Sequence, residues 1–172
     1  MKIAIIGYSG SGKSTLAAFL GKHHQIPVLH LDTVQFLPGW KERDRAEACG
    51  MVAEFMHQNP AWVIDGNYKT FCYEERMAEA DQIIFMNFNR FACLIRALRR
   101  YFTYRHKTRA SMAEGCNEKF DLPFFWWIFY ESRTAPYRKR YRRVLNQYPE
   151  KSVVLKNKRQ LTQFMEKTVT KM

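Results

Sequence analysis

The chain has 172 residues, 47% of them apolar and 15% aromatic, which is enough for one domain with a full core and too apolar for a disordered polypeptide. Its formal charge of +12 calls for anionic partners, either nucleotide phosphates or a nucleic-acid backbone. No stretch approaches the roughly 20 apolar residues needed to cross a bilayer, and the apolar run after Lys2 is too short for a secretory leader, so a cytoplasmic protein without membrane contact is expected.

The first element is a buried strand, Lys2–Ile6, whose continuous apolar run Ile3-Ala4-Ile5-Ile6 suits a parallel strand covered on both faces. It runs directly into Gly7-Tyr8-Ser9-Gly10-Ser11-Gly12-Lys13-Ser14, which satisfies G-x-x-x-x-G-K-[ST], followed by Thr15 and an Ala/Leu-rich helix from about Lys13 to Lys22. Glycines at 7, 10 and 12 let the backbone curl until several N–H groups point inward, and the helix aims its positive end into the same hollow. A polyphosphate fits there, with Lys13 reaching the β/γ-phosphates and the Ser14 hydroxyl holding Mg²⁺. Gly7, Ser9, Gly10, Ser11, Gly12, Lys13, Ser14 and Thr15 are therefore the expected nucleotide-binding residues, with ATP and Mg²⁺ as the cofactors.

A second strand, Pro27–Leu31, ends at Asp32, and a loop with Pro38-Gly39-Trp40 leads to a helix over 43–57 with Ala48, Val52, Phe55 and Met56 on one face. Trp62-Val63-Ile64 is a third strand closing on Asp65-Gly66-Asn67-Tyr68, and a short helix near Tyr73–Ala80 leads to a fourth, Gln82–Phe88. A basic helix is expected from Phe91 to about Tyr104, then a mobile loop over 105–120, then helix from Leu122 to about Asn146 with a break near Pro136. Ser152–Leu155 is the fifth strand, and a closing helix begins at Lys158. The aromatic run Phe124–Tyr130 reads as a buried helix or a partner interface. Cys49, Cys72, Cys93 and Cys116 are scattered with no CxxC pair and read as reduced thiols, and His23-His24 as solvated residues ending the first helix.

Strands alternating with helices imply a parallel sheet in a three-layer α/β fold, with ligands at the carboxyl ends of the strands. Gly7, Asp32 and Asp65 each follow an expected strand and should converge on one crevice. A carboxylate at Asp65 can hold the Mg²⁺ shell, and one at Asp32 can accept a proton from an attacking hydroxyl or grip the acceptor. We place Asp32 on the acceptor side and Asp65 on the metal side, although the residues alone permit the reverse. Phe36, Trp40 and Tyr68 are available to stack on a ring-shaped substrate or to pack in the core.

The positive charge is concentrated. Arg90, Arg96, Arg99, Arg100, Arg105, Lys107 and Arg109 fall in one acid-free segment, and Arg133, Arg138, Lys139, Arg140, Arg142 and Arg143 in another. Arg96 and Arg100, four apart, share a helix face, where a guanidinium can stack on a base or clamp a phosphate. Lys13, Asp32, Arg96 and Arg100 are the expected catalytic residues.

This order of elements resembles the adenylate-kinase and nucleoside-monophosphate-kinase group. Leu31-Asp32 leading to Pro38-Gly39-Trp40, Trp62–Tyr68, and Thr108–Cys116 resemble more closely the bacterial DNA topology modulation proteins, relatives of adenylate kinase. The resemblance implies a P-loop NTPase fold with a five-stranded parallel sheet, an acceptor-side segment at 33–60 and a helical lid at about 101–121. It implies that Arg96 packs on the adenine and Arg100 contacts phosphate. Segment 33–60 lacks the AMP-binding pattern of adenylate kinases, and the placement of Asp32 is similar to shikimate and gluconate kinases. The expected activity is ATP-dependent phosphoryl transfer to a small-molecule, nucleoside or nucleotide acceptor. The alternative implied by the resemblance is a nucleotide-binding regulator that binds nucleic acid and affects DNA topology; a bare NTPase using water is a third reading.

Overall fold

The computed structural model describes residues 1–105, 109, 111–113 and 115–170. Lys107 of the first basic segment, and Thr108, Ala110 and Glu114 of the family-like stretch, lie outside the described residues.

Five strands, β1 (Lys2–Gly7), β2 (Val28–His30), β5 (Trp62–Asp65), β6 (Gln82–Met86) and β7 (Ser152–Leu155), form one parallel sheet in the order β2-β5-β1-β6-β7. A two-stranded antiparallel hairpin, β3 (Phe36–Leu37) with β4 (Lys41–Glu42), stands apart and turns at Pro38–Trp40. The central strand β1 explains its own apolar run: Ile3, Ala4, Ile5 and Ile6 are each at most 1% exposed, so both faces of the strand are covered.

The helices are α1 (Lys13–His24), α2 (Leu31–Gln35), α3 (Arg45–Gln58), α4 (Tyr73–Glu79), α5 (Arg90–Tyr104), α6 (Leu122–Phe129), α7 (Ala135–Gln147) and α8 (Lys158–Thr170). Asp44, Asn89 and Asp121 cap α3, α5 and α6 with side-chain oxygens, each satisfying amides that a helix start leaves open. One continuous core joins Leu16 and Leu20 of α1, Val52 of α3, Met77 of α4, Ala97 of α5 and Tyr141 of α7 to the sheet.

One expectation is corrected and two are sharpened. Asp32 does not end a strand: β2 stops at His30, and Asp32 lies in the first turn of the short helix α2. The break expected near Pro136 falls at 130–134, and Pro136 itself lies in the first turn of α7, where its missing N–H costs nothing. The aromatic run, expected as a buried helix or a partner interface, is helical and only partly buried. In α6 Ile128 is buried, whereas Leu122 and Trp126, and Tyr130 just after the helix, are more than half exposed.

Candidate phosphate-binding and acceptor site

The loop between β1 and α1 is curled as its glycines require. Gly10 has φ +77, and a Cβ there would collide with the carbonyl oxygen of Cys93 on α5. Gly12 has φ +97 and stands where α1 begins, with the Arg96 guanidinium against it. Among the described residues no side chain caps α1, in contrast to α3, α5 and α6. Its first amides therefore remain open to a ligand. The hydroxyl of Ser11 is fully buried and has no partner among the described residues. An anion held by this loop would satisfy those open donors, so the residues present fit a polyphosphate.

Lys13 lies in the mouth of the loop, and its ammonium donates to the Tyr8 carbonyl at 3.2 Å. Burial pulls its pKa below that of an ordinary lysine, while Asp32 and then Asp65 oppose the shift. Ser14 Oγ donates to Asp65 Oδ2 at 2.9 Å, bringing together the two side chains expected on the metal side. Thr15 follows, solvent-exposed on the first turn of α1.

Asp65 is 4% exposed, and its second oxygen accepts from His30 Nδ1, a partner that the sequence reading did not anticipate. The adjacent Asn67 acts as a backbone surrogate: its Oδ1 accepts from Gly7 N at 2.9 Å, and its amide donates to Gly7 O. Tyr68 donates from its hydroxyl to Asp32 Oδ1 at 2.8 Å, and burial first, then Asp32, raise the pKa of the phenol. Tyr68 stacks on Phe71 with ring centroids 4.9 Å apart.

This loop hangs from Arg76, a fully buried residue of α4 that sequence reasoning missed. Its guanidinium donates to Phe71 O at 2.8 Å, Tyr68 O at 2.9 Å and Gly66 O at 3.4 Å. Nothing in an isolated Glu-Glu-Arg triplet distinguishes such a residue from a solvated one.

Arg96 and Arg100 do share one inward-facing side of α5, with Arg99 exposed on the other. Arg96 donates to Ser11 O at 2.9 Å and lies over the Phe88 ring, 5.1 Å from its centroid, so it braces the outer wall of the loop. Arg100 donates to Glu118 Oε2 at 2.9 Å, while Arg109 takes Glu118 Oε1. Burial and the neighbouring Arg109 lower the pKa of Arg100, and Glu118 and Asp32 oppose this. Glu118 is only 6% exposed. Its one sequence signal is that it is among the first acids after the basic run, with Glu114 and Asp121.

The segment around Glu118 also touches the β3–β4 hairpin. Trp40 Nε1 donates to Asn117 O at 3.0 Å, Cys116 Sγ to Leu37 O at 3.3 Å, and the Lys119 ammonium lies 5.5 Å from the centre of the Trp40 ring. Parts of segments 33–60 and 101–121 thereby meet beside the crevice. Trp40 is occupied by this contact and by Phe36, 5.1 Å away edge to face.

The second basic segment divides likewise. Arg133 lies 3.8 Å above the Tyr8 ring and donates to Phe88 O at 2.9 Å, and Arg140 donates to Asn67 O at 3.2 Å. Arg138, Lys139, Arg142 and Arg143 face solvent. Within α6, Trp127 Nε1 donates to Ser9 Oγ at 3.1 Å, so the aromatic run contributes a strut to the phosphate loop.

No family model and no curated protein matches the chain. Solved structures do. A shikimate kinase from Acinetobacter baumannii in complex with shikimate matches at 13% identity over 98% of this chain and 90% of that one, with a TM-score of 0.53. A deoxyadenosine kinase from M. mycoides with bound dATP matches at 16% identity over 97% and 98%, TM-score 0.52. A gluconokinase from Sinorhizobium meliloti 1021 matches at 14% identity over 98% and 89%, TM-score 0.51. At these identities the likeness shows a shared fold and nothing finer. Among the described residues no helix is long and apolar enough to cross a membrane.

Proposed function

We propose that the protein is a phosphotransferase that moves the terminal phosphoryl of ATP to a hydroxyl or phosphate of a small-molecule, nucleoside or nucleotide acceptor. One observation carries this reading. The segment after β5 ties the two sides of the crevice together, Asn67 accepting from Gly7 N of the phosphate loop at 2.9 Å and its neighbour Tyr68 donating to Asp32 at 2.8 Å, which supports a base for the acceptor beside the loop that would grip the donor.

In this reading the open amides of the Gly7–Ser14 loop and the Lys13 ammonium bind and orient the triphosphate. Magnesium, held by Ser14 and Asp65, would neutralise charge on the phosphate oxygens. Asp32 accepts the proton of the attacking hydroxyl, and Tyr68 fixes which of its oxygens is free to do so. Arg100 supplies positive charge to the transferring group, and Arg96 keeps the loop closed behind it while offering its plane to the base. The Phe36–Glu42 hairpin bounds the acceptor.

The test is transfer of labelled terminal phosphate from ATP across a panel of nucleosides, nucleoside monophosphates and small hydroxy acids. The reading expects one acceptor class to be phosphorylated, with kcat lowered by about 10²-fold or more in Asp32→Asn and transfer abolished in Lys13→Ala. Phosphate release that is indifferent to every acceptor would identify an NTPase instead.

A further inference from the structure

Cys49 of α3 and Cys72, the residue before α4, are 23 positions apart, yet their sulfurs lie 3.5 Å from each other. The Cys72 thiol also lies 3.7 Å from the Cys49 carbonyl oxygen. Both residues are half-buried, whereas Cys93 and Cys116 are buried in separate places, against Phe88 O and Leu37 O. A groove of about 490 Å³ lined by Ala53, Met56, Cys72 and Glu75 among others opens onto Cys72, and Cys49 beside it is itself partly exposed.

We propose that Cys49 and Cys72 are a redox-modification site that closes into a reversible disulfide, with a low-molecular-weight disulfide such as oxidised glutathione as the oxidant. The sulfurs must approach by about 1.5 Å to reach bonding distance. Burial and the adjoining Cys49 push the Cys72 thiol up to about 11, and the thiolate is the attacking form. One of the two thiols loses its proton to solvent and attacks one sulfur of oxidised glutathione, whose S–S bond breaks and releases one glutathione thiolate. The other thiol then loses its proton and attacks the protein sulfur of that mixed disulfide, breaking it and releasing the second glutathione. Two protein thiols are oxidised, and one glutathione disulfide is reduced to two thiols.

The position gives the bond a consequence. Cys72 ends the 66–72 loop, one turn before Arg76, whose guanidinium holds that loop in place. The same loop supplies Asn67 to Gly7 and Tyr68 to Asp32, so a cross-link to α3 pulls on the acceptor side of the crevice. An effect on turnover rests on the kinase reading above; formation of the bond does not.

The experiment takes the full chain, fully reduced and desalted, through a series of reduced and oxidised glutathione mixtures. Thiols are counted with a maleimide under denaturing conditions, and intact and peptide masses are measured. The expected result is a fall from four titratable thiols to two, a mass lower by about 2 Da for the two lost hydrogens, and a peptide linking Cys49 to Cys72, all reversed by reductant. Cys49→Ser is expected to lose the cross-link and to gain at most a glutathione adduct. Four thiols persisting across the series, a stable glutathione adduct without a bridge in the unsubstituted protein, or a bridge to Cys93 or Cys116 would overturn the proposal. Peptide mapping of the unsubstituted protein decides the matter even if the variant fails to fold.

Discussion

Arg100 and Glu118 form a nearly buried ion pair at 2.9 Å that leaves one carboxylate oxygen for Arg109. A single acid thus holds two guanidiniums that would otherwise repel each other beside the crevice. Glu118→Gln keeps the shape and removes the charge. Because the Arg100 side chain is 27% exposed, the loss is expected at about 2 kcal/mol, below the range for fully buried pairs. A urea titration measures it, and an unchanged midpoint would mean that solvent screens both arginines.

Gly10→Ala tests the phosphate loop without altering a charge. The methyl group would meet the Cys93 carbonyl in a left-handed backbone conformation, costing about 2 kcal/mol. The loop must open to relieve this, so nucleotide affinity is expected to fall more steeply than stability. Calorimetric binding and thermal unfolding, measured on the same preparation, separate the two effects.

Arg76→Met removes a donor from three carbonyls and leaves them buried, a loss of about 3 kcal/mol. Since those carbonyls belong to the loop that carries Tyr68, the KM for the acceptor is expected to rise more than the KM for ATP. Equal changes in both would show that Arg76 serves the fold alone.

The pKa of Cys72 gives a pH dependence. The thiolate is the reactive form, so alkylation of Cys72 in the reduced protein should accelerate with rising pH toward a midpoint of about 11. Removal of the neighbouring sulfur in Cys49→Ala takes away two of the influences that raise it, and the midpoint should move down. Rates followed by peptide mass at a series of pH values check both statements.

The sheet was legible in the sequence because each strand is a short apolar run bounded by polar turns; Ser152–Leu155 was assigned to the residue. The phosphate loop was legible because its glycines, Lys13 and Ser14 are contiguous. Asp65 was placed correctly at the end of β5, while Asp32 was misplaced because Leu31 continues an apolar run that the chain folds into a helical turn. The residues that position these groups were not legible. His30 meets Asp65 across 35 positions, Arg76 bonds backbone carbonyls, and Glu118 gathers arginines 18 and 9 residues before it. Such partners share no local period, and only the crossing of chain segments brings them together. The aromatic run Phe124–Tyr130 offered a hydrophobic signal but not the polar bond of Trp127 to Ser9.

The central claim is that the curled loop before α1 binds a triphosphate through its amides and Lys13. Isothermal titration of the protein with ATP in the presence of magnesium tests it most directly, with Lys13→Ala measured alongside. The account predicts one site per chain, and an affinity lowered at least about tenfold by the substitution, which removes a charge-assisted contact worth about 1.5–3 kcal/mol. Absence of binding heat at several temperatures, or equal affinity for the two proteins, would contradict it.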